Sequence, residues 1–264
     1  MEEQLTGLHE AVAVLAGSAR AAGPEADVPT CPAWTVRKLL AHQGMVHRWA
    51  AANLRGEQSY PPDWNAEGQR VADPVAWLQE GADDLVATIR SAPDDAAAMV
   101  FLKDAPPPRQ FWARRQCHET TIHSVDALAA SLGRFPRPEE STITDVVALD
   151  GIDEVLTGFI PRGKSRFRDV DPVRLTVWPT GEDRGWSVLI RDGAATTTRV
   201  DPSGGGATTG GGATTGGDLA EATLRGSPVG LYLALWNRTT DDAVSDPTGF
   251  LATTWRDRVR VRWS

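Results

Sequence analysis

The sequence predicts an α+β protein, in which a helical bundle over residues 1–162 is followed by a smaller α/β domain over residues 163–264. In the first part, apolar residues recur at helical spacing in long segments that Gly, Pro and N-capping residues separate. After Pro161 the segments become short and alternate between apolar and polar residues, which is typical of strands with one buried face. A chain of 264 residues is long enough for two such domains.

Apolar periodicity predicts five helices in the first domain, and most of their ends coincide with residues that start or stop helices. Thr35 is a plausible N-cap, Asp73-Pro74 opens a helix, and Gly23 and Gly133 are placed to end two others. The predicted helices cover residues 3–22, 36–55, 74–90, 110–132 and 145–159. The segments 56–73 and 93–108 are rich in Gly, Pro and polar residues, so the first is predicted as a long loop and the second as a connector.

The second domain is predicted to contain a small sheet and one helix. Asp192-Gly193 is a hairpin turn signal, and Ser227-Pro228 is a helix start for the apolar segment that reaches Trp236. Residues 203–217 are an internal Gly/Thr repeat, which predicts an expanded loop without chemistry of its own. The predicted strands cover residues 173–178, 185–191, 195–200 and 219–224.

Composition excludes several classes of function. The net charge of −8 and the pI near 5.2 leave no basic stripe for nucleic acid. No apolar run approaches the ~18 residues that cross a bilayer, and the acidic N-terminus does not resemble a secretory signal. Cys31 and Cys117 lie far apart and outside any metal-type pair, which fits a reducing cytoplasm. We therefore expect a cytoplasmic protein with small-molecule partners, as a monomer or homodimer.

Four of the five histidines fall in two clusters on predicted helices, at 41–47 and 117–123. In the second cluster, Glu119 and His123 are four residues apart, so they lie within roughly 40° of each other on one helical face. His118 points roughly 140° away from His123, so the zinc-protease pattern of two histidines four apart is absent. Asp126 lies on the same strip as His123 and could accept a hydrogen bond from the far nitrogen of that imidazole.

One further histidine from a neighbouring helix would complete a metal site with two histidines and one carboxylate. Such a site leaves a coordination position open, as catalysis requires. The first cluster offers His42 and His47, and the apolar stripe of its helix slightly favours His47. The competing interpretation is that Glu119 and His123 form a solvated pair on a helix surface.

Three stretches resemble one known family. They are CPAWTVRKLLAH at 31–42 with VHRW at 46–49, ARRQCHETTIHSVD at 113–126, and ATLRGSP at 222–228 with LYLALWNR at 231–238. Together they resemble the mycothiol-dependent maleylpyruvate isomerase family of the DinB-like metalloprotein superfamily. The resemblance implies a DinB-like four-helix bundle followed by an α/β domain similar to sterol-carrier folds.

The resemblance also implies a site and cofactors. The first metal ligand of the family lies eight residues after the signature tryptophan, which is His42 when counted from Trp34, and the other ligands correspond to Glu119 and His123. The implied cofactors are zinc, or another divalent metal, and mycothiol. Arg238 matches a family arginine that faces the active site, where it could hold a carboxylate of substrate or cofactor.

The implied chemistry is activation of a thiol. A free thiol has a pKa near ~8.5, and a divalent cation deprotonates the thiol that it binds. The thiolate can add to an electrophilic carbon, which gives cis–trans isomerisation of the maleylpyruvate type or S-transfer. Two alternatives stay open: a zinc-dependent hydrolase that uses metal-bound water, and a non-catalytic protein that binds a small molecule. Cys31 and Cys117 are expected to be packing residues.

Overall fold

The computed structural model describes residues 1–57, 63–102, 105–162, 166–201 and 219–259. The chain divides into two compact units, Met1–Ile143 and Thr144–Ser264. The first unit is helical and the second combines a sheet with helices, which confirms the predicted α+β class. None of the described helices is long and apolar enough to cross a membrane.

Four long helices form a bundle in the first unit. Helix α1 packs on α5, α5 also contacts α2, and α2 in turn packs on α4, which returns to α1. The shared core contains Leu15 of α1, Leu39 and Leu40 of α2, Leu78 of α4 and Ala127 of α5. The bounds are Glu2–Ala22 for α1, Val36–Leu54 for α2, Pro74–Ser91 for α4 and Pro108–Leu132 for α5.

The ends of these helices follow local chemistry. The Asp73 side chain accepts hydrogen bonds from the backbone N–H groups of Val75 and Ala76, so it caps the free donors at the start of α4. Helix α5 ends at Gly133, whose φ of 67° lies in the left-handed region that favours glycine. These predicted boundaries are confirmed within two residues.

One predicted loop contains a short helix. Residues Trp64–Arg70 form α3, within the segment 56–73 that was predicted to be irregular; residues 58–62 of that segment lie outside the described residues. Gly68 of α3 is buried, and a Cβ at this position would lie 2.7 Å from the Trp77 ring of α4 and 3.0 Å from the Ala41 Cα of α2. This close packing against two other helices is a tertiary effect that local periodicity does not record.

The second unit is built on a four-stranded sheet in the order β3-β2-β1-β4. Strand β1 pairs antiparallel with β2 and parallel with β4. Asp192 and Gly193 both have positive φ, at 54° and 78°, which confirms the predicted hairpin turn. The strands are β1 Val173–Pro179, β2 Gly185–Arg191, β3 Ala194–Val200 and β4 Ala220–Gly226. The predicted loop 203–217, between β3 and β4, lies outside the described residues.

Helical segments pack on this sheet within the second unit. Helix α6, Asp145–Asp153, continues as a π-helical segment over Glu154–Phe159, and α7, Pro228–Leu235, packs against α6 and contacts β1 and β4. The Thr197 hydroxyl of β3 donates to the Leu156 carbonyl at 2.6 Å. A short terminal segment comprises a π-helical turn, Leu251–Trp255, and α8, Arg256–Arg258.

The division between the units falls earlier than residue 162, where the sequence analysis placed the domain boundary. The Asp153 carboxylate accepts a hydrogen bond from the Trp186 indole of β2 at 3.0 Å. It accepts two more from the Arg199 guanidinium of β3, at 2.6 and 2.7 Å. Because α6 is bonded to the sheet through Asp153, it belongs to the second unit, although its sequence resembles the bundle helices before it.

Candidate metal centre

The interior of the bundle is unusually polar along helix α5. Nearly every residue from Phe111 to Ala130 is buried, including a series of charged, amide, hydroxyl and imidazole side chains. Buried polar groups are costly unless they have partners, so the partners of these side chains define what the helix does.

Three predicted residues meet in this interior. His42 of α2 and Glu119 and His123 of α5 are all buried, and one candidate ligand atom from each lies within 4.8 Å of the others. The Glu119 Oε1 atom is 3.8 Å from His42 Nε2 and 3.4 Å from His123 Nε2. The structure therefore brings together the histidine pair and carboxylate that the resemblance implies.

The outer nitrogen of His123 is held by Asp126, as its spacing on the helix predicts. The His123 Nδ1 atom lies 2.8 Å from Asp126 Oδ2, and Asp126 is fully buried. An imidazole that donates its Nδ1–H to a carboxylate presents Nε2 as its free donor atom. This is the nitrogen that faces Glu119.

The two carboxylate oxygens of Glu119 have different surroundings. Arg115, one helical turn earlier, donates from Nη2 to Oε2 at 2.6 Å, and both side chains are buried. Oε1 has no hydrogen-bond partner, although it is buried. The guanidinium thus leaves a single oxygen of Glu119 directed at the two histidines.

Trp34 packs against both imidazoles from the loop before α2. Its ring centroid is 4.8 Å from that of His42 and 5.7 Å from that of His123, with the latter pair stacked. The two histidine rings meet edge to face at 5.2 Å. The aromatic face restricts the rotamers of both side chains.

The charges of the cluster are set by burial and by these contacts. Burial by itself raises the pKa of Glu119, but the Arg115 guanidinium and the imidazoles of His123 and His42 hold that pKa well below its ordinary value. Burial lowers the pKa of His42. For His123, burial acts in the same direction, but the hydrogen bond with Asp126 and the nearby Glu119 carboxylate outweigh it and raise the pKa to about 9.

The residues fit a divalent cation. His42 Nε2 and Glu119 Oε1 are both buried without any hydrogen-bond partner, and burial of such atoms is costly unless they bind another group. Two ligands of a tetrahedral zinc, each at about 2.1 Å, lie about 3.4 Å apart, so small inward movements of the side chains suffice. Two imidazoles and one carboxylate oxygen form a donor set of the catalytic zinc type.

His47 and His118 lie outside this group of three. The Nε2 atom of His47 accepts from the Gln43 amide at 2.8 Å and lies 2.9 Å from the Thr120 hydroxyl. Burial lowers the pKa of His47 to about 3, so it is a neutral member of a hydrogen-bonded network. The apolar stripe of α2 favoured His47 because this side chain does point into the bundle, although toward Thr120.

Arg238 follows α7 in the second unit. It is half-buried, and its Nη1 atom donates to the Trp236 carbonyl at 2.9 Å. This contact fixes the guanidinium close to the end of α7. It assigns no catalytic or binding role.

Sequence reasoning did not identify three contributors to the cluster. Arg115 precedes Glu119 by four residues, a spacing that could have indicated the ion pair. Thr30 and Cys31 contact Asp126, with the Thr30 hydroxyl at 2.6 Å from Oδ1 and the Cys31 thiol at 3.6 Å from Oδ2. Cys31 is therefore more than the packing residue that was expected, and no spacing rule connects a loop residue to a helix so distant in sequence.

These features define a class: a helical bundle whose interior holds a buried His-Glu-His donor set. Residues 5–128 match the family described as "Mycothiol maleylpyruvate isomerase N-terminal domain". No curated protein matches the sequence. The helical unit is therefore similar to the N-terminal domain of the mycothiol-dependent maleylpyruvate isomerase family.

Two solved structures are similar over nearly the full length. They are crystal structures of the mycothiol-dependent maleylpyruvate isomerase and of a histidine-to-alanine mutant of that protein. Each is 18% identical and covers 94% of this chain and 93% of its own, with TM-scores of 0.58 and 0.59 respectively. At this identity the likeness shows a shared fold.

Proposed function

We propose that this chain is a metal-dependent and mycothiol-dependent enzyme that activates a thiol for addition to an electrophilic small molecule. His42, Glu119 and His123 would hold zinc or another divalent metal. The observation that carries the proposal is the pair of buried atoms His42 Nε2 and Glu119 Oε1, which lie 3.8 Å apart and have no hydrogen-bond partner. The family match over residues 5–128 and the names of the two solved neighbours support the thiol.

The surrounding residues prepare this donor set. Arg115 holds one oxygen of Glu119 and so keeps the other directed at the histidines. Asp126 holds the Nδ1–H of His123, and Trp34 covers one side of both rings. When bound, a divalent metal would supply an open position at which a thiol loses its proton, which makes it a nucleophile at neutral pH.

The reaction class follows from what the thiolate does next. Addition to a maleyl-type double bond, rotation about the resulting single bond and elimination of the same thiolate give cis–trans isomerisation. Addition with loss of another leaving group gives S-transfer. We propose Arg238 as the residue that binds a carboxylate of substrate or cofactor, since a guanidinium matches carboxylate geometry. Replacement of Arg238 by Lys should raise KM more than it lowers kcat.

The proposal also covers the fold families of the two units and the cellular compartment. We propose that the bundle is DinB-like, because four mutually packed helices direct metal-type ligands into their interior, and that the α/β unit is sterol-carrier-like. We also propose the reducing cytoplasm as the compartment. Cys31 and Cys117 do not form a disulfide, which is ordinary for thiols in that compartment.

Metal content tests the donor set directly. Protein purified without chelators should contain about one zinc per chain by mass spectrometry of the metal, and His42→Ala and His123→Ala should lose it. His9→Ala is the matched control, because His9 is exposed on α1 and should not affect metal content. Unchanged metal content in both site variants would rule the site out.

Thiol dependence tests the reaction. The metal-loaded protein should convert maleylpyruvate or other electrophiles only when mycothiol is supplied, with thioether products or isomerised substrate detected by mass spectrometry. Turnover that is independent of added thiol would contradict this proposal and favour a metal-assisted hydrolase. Ligand binding without turnover over the whole panel would replace it with a binding protein.

A further inference from the structure

Asp126 joins helix α5 to the loop between α1 and α2. Its Oδ2 atom lies 2.8 Å from His123 Nδ1 and 3.6 Å from Cys31 Sγ, and its Oδ1 atom accepts the Thr30 hydroxyl at 2.6 Å. The Thr30 distance is in the range of a charge-assisted O–H···O⁻ bond, which is about twice as strong as a neutral one. A loop side chain therefore donates a hydrogen bond to the second oxygen of the carboxylate that orients His123.

We propose that Thr30 is a positioning residue of the metal centre. It acts through Asp126, with Cys31 as the secondary contact, so that His123 presents Nε2 toward His42 and Glu119. This inference rests on the proposed function, because it assigns to Thr30 a part in shaping the donor set. Neither the spacing of residues nor the resemblance points to Thr30.

The physical reason lies in the rotation of the Asp126 carboxylate. If only Oδ2 were engaged, the group could turn about its last torsion and release His123 at the loss of one strong bond. With Thr30 on Oδ1, the same turn breaks bonds on both oxygens inside a buried site. A buried carboxylate that loses its donors also becomes costly, so the engaged orientation is strongly preferred.

The loop that carries Thr30 is itself well fixed. The backbone N–H of Val28 donates to the Trp34 carbonyl at 3.1 Å, and that of Cys31 donates to the Val28 carbonyl at 2.9 Å. Val28 is fully buried in the bundle core, and Trp34 stacks on His123. The backbone hydrogen bonds of this turn thus hold Thr30 in place independently of Asp126.

The first experiment compares zinc affinity in three variants by competition with a chromophoric chelator. Thr30→Val removes the hydroxyl at nearly constant shape and should weaken zinc binding about tenfold, as loss of an outer-shell partner does. Thr30→Ser keeps the donor and should restore the affinity. Thr88→Val is the matched control, since Thr88 of α4 accepts from Arg55 away from the site. Equal affinity in Thr30→Val and Thr88→Val would overturn the proposal.

Ligand-field spectra of the cobalt-substituted protein provide a readout that a merely structural role would not move. Thr30→Val should change the cobalt spectrum and Thr30→Ser should not, while general destabilisation would leave the spectrum of the folded fraction unchanged. If Thr30→Val does not fold, Thr30→Ala removes the same hydroxyl with a smaller side chain. Identical spectra in wild type and the folded variant would contradict the positioning role.

The metal-free protein separates this inference from the proposed function. The Nδ1–H proton of His123, observed by NMR, should be retained in wild type and Thr30→Ser and exchange faster in Thr30→Val. A wild-type protein that binds no zinc but shows this pattern would reject the metal centre and keep the positioning of His123. An Nδ1–H signal that is the same in all three proteins would reject the role of Thr30.

Discussion

The negative charge of Glu119 is buried, so neighbouring groups have to balance it. Glu119 is a fully ionised carboxylate in the bundle interior, and its charge is balanced by Arg115 at 2.6 Å. Removal of one partner from a buried ion pair leaves an uncompensated charge, which costs much more than loss of an exposed pair. Arg115 is therefore a determinant of stability as well as of the direction in which Glu119 points.

Arg115→Met is expected to lower the free energy of unfolding by about 3 kcal/mol in chemical denaturation. The deficit should shrink as the pH falls, because Arg115 stabilises the ionised form of Glu119 and protonation of Glu119 in acid removes that interaction. Arg134→Met is the control: Arg134 pairs with Glu140 at the same 2.6 Å, but on the surface, and should have little effect. Similar losses in both variants would show that burial of the pair is unimportant.

His123 makes metal binding dependent on pH. Its pKa of about 9 in the metal-free protein means that the ring is protonated at neutral pH, whereas a ligand imidazole must be free of that proton. The lowered pKa of His42 means that His42 contributes no proton near neutrality.

Zinc binding at pH 7.5 should therefore release about one proton per metal, and the dissociation constant should rise about tenfold for each pH unit below 9. Calorimetry in two buffers of different ionisation enthalpy measures the release. Asp126→Asn removes the carboxylate that raises the His123 pKa, so this variant should release a smaller fraction of a proton. No dependence on the buffer would contradict a protonated His123.

The spacing of residues along the sequence predicted the part of the candidate site that lies on one helix. Glu119, His123 and Asp126 share one helix, so a period of 3.6 residues places them on one strip, and the family motif selects His42 over His47. Thr30 escapes such reasoning because its contact spans an irregular turn and a large separation in sequence. Helical periodicity also could not choose between His42 and His47, since both side chains are buried on α2.

At the scale of elements, caps and turns were the most reliable signals. Asp73-Pro74, Gly133 and Asp192-Gly193 each act through their own backbone and immediate neighbours, so the sequence contains the whole cause. Helix α3 was not predicted, and residues 154–159 were predicted as the end of a helix but without its π-helical form. Helix α3 packs on Trp77 through Gly68, and the π-helical segment contacts strand β3. Both features therefore depend on tertiary contacts.

Close packing of α2 on α4 leads to a paired prediction. A Cβ added at Gly44 of α2 would lie 2.2 Å from the Trp77 ring, so Gly44→Ala should lower the free energy of unfolding by about 1–3 kcal/mol. Gly17→Ala on the exposed face of α1 meets nothing within 4 Å and should stabilise the protein by up to about 1 kcal/mol. Urea denaturation of both variants measures these changes, and a destabilised Gly17→Ala or a neutral Gly44→Ala would contradict this account.

For the whole molecule, composition and pattern predicted the class and the order of the two units, but not their division. The sequence of the first helix of the second unit resembles those of the bundle helices. Its packing against α7 and the bonds of Asp153 to Trp186 and Arg199 show which core it joins. A boundary of this kind depends on contacts between residues distant in sequence. It is therefore set at the level of the folded molecule.

Metal binding should stabilise the assembled bundle by mass action. At a free zinc concentration of 100 times the dissociation constant, the free energy of unfolding should rise by about 2.7 kcal/mol, and a chelator should reverse the change. Differential scanning calorimetry with and without zinc measures the shift. His42→Ala should show no response, and an equal response from that variant would place the zinc elsewhere.

The separation of the donors along the chain has a consequence during biosynthesis. His42 leaves the ribosome well before Glu119 and His123, because α2 and α5 are far apart in sequence. A nascent chain that ends between them carries only one ligand, which is too few to retain an ion against cellular competitors. In the proposed metal centre, cation loading would therefore be a late event that follows synthesis of α5 and its docking beside α2.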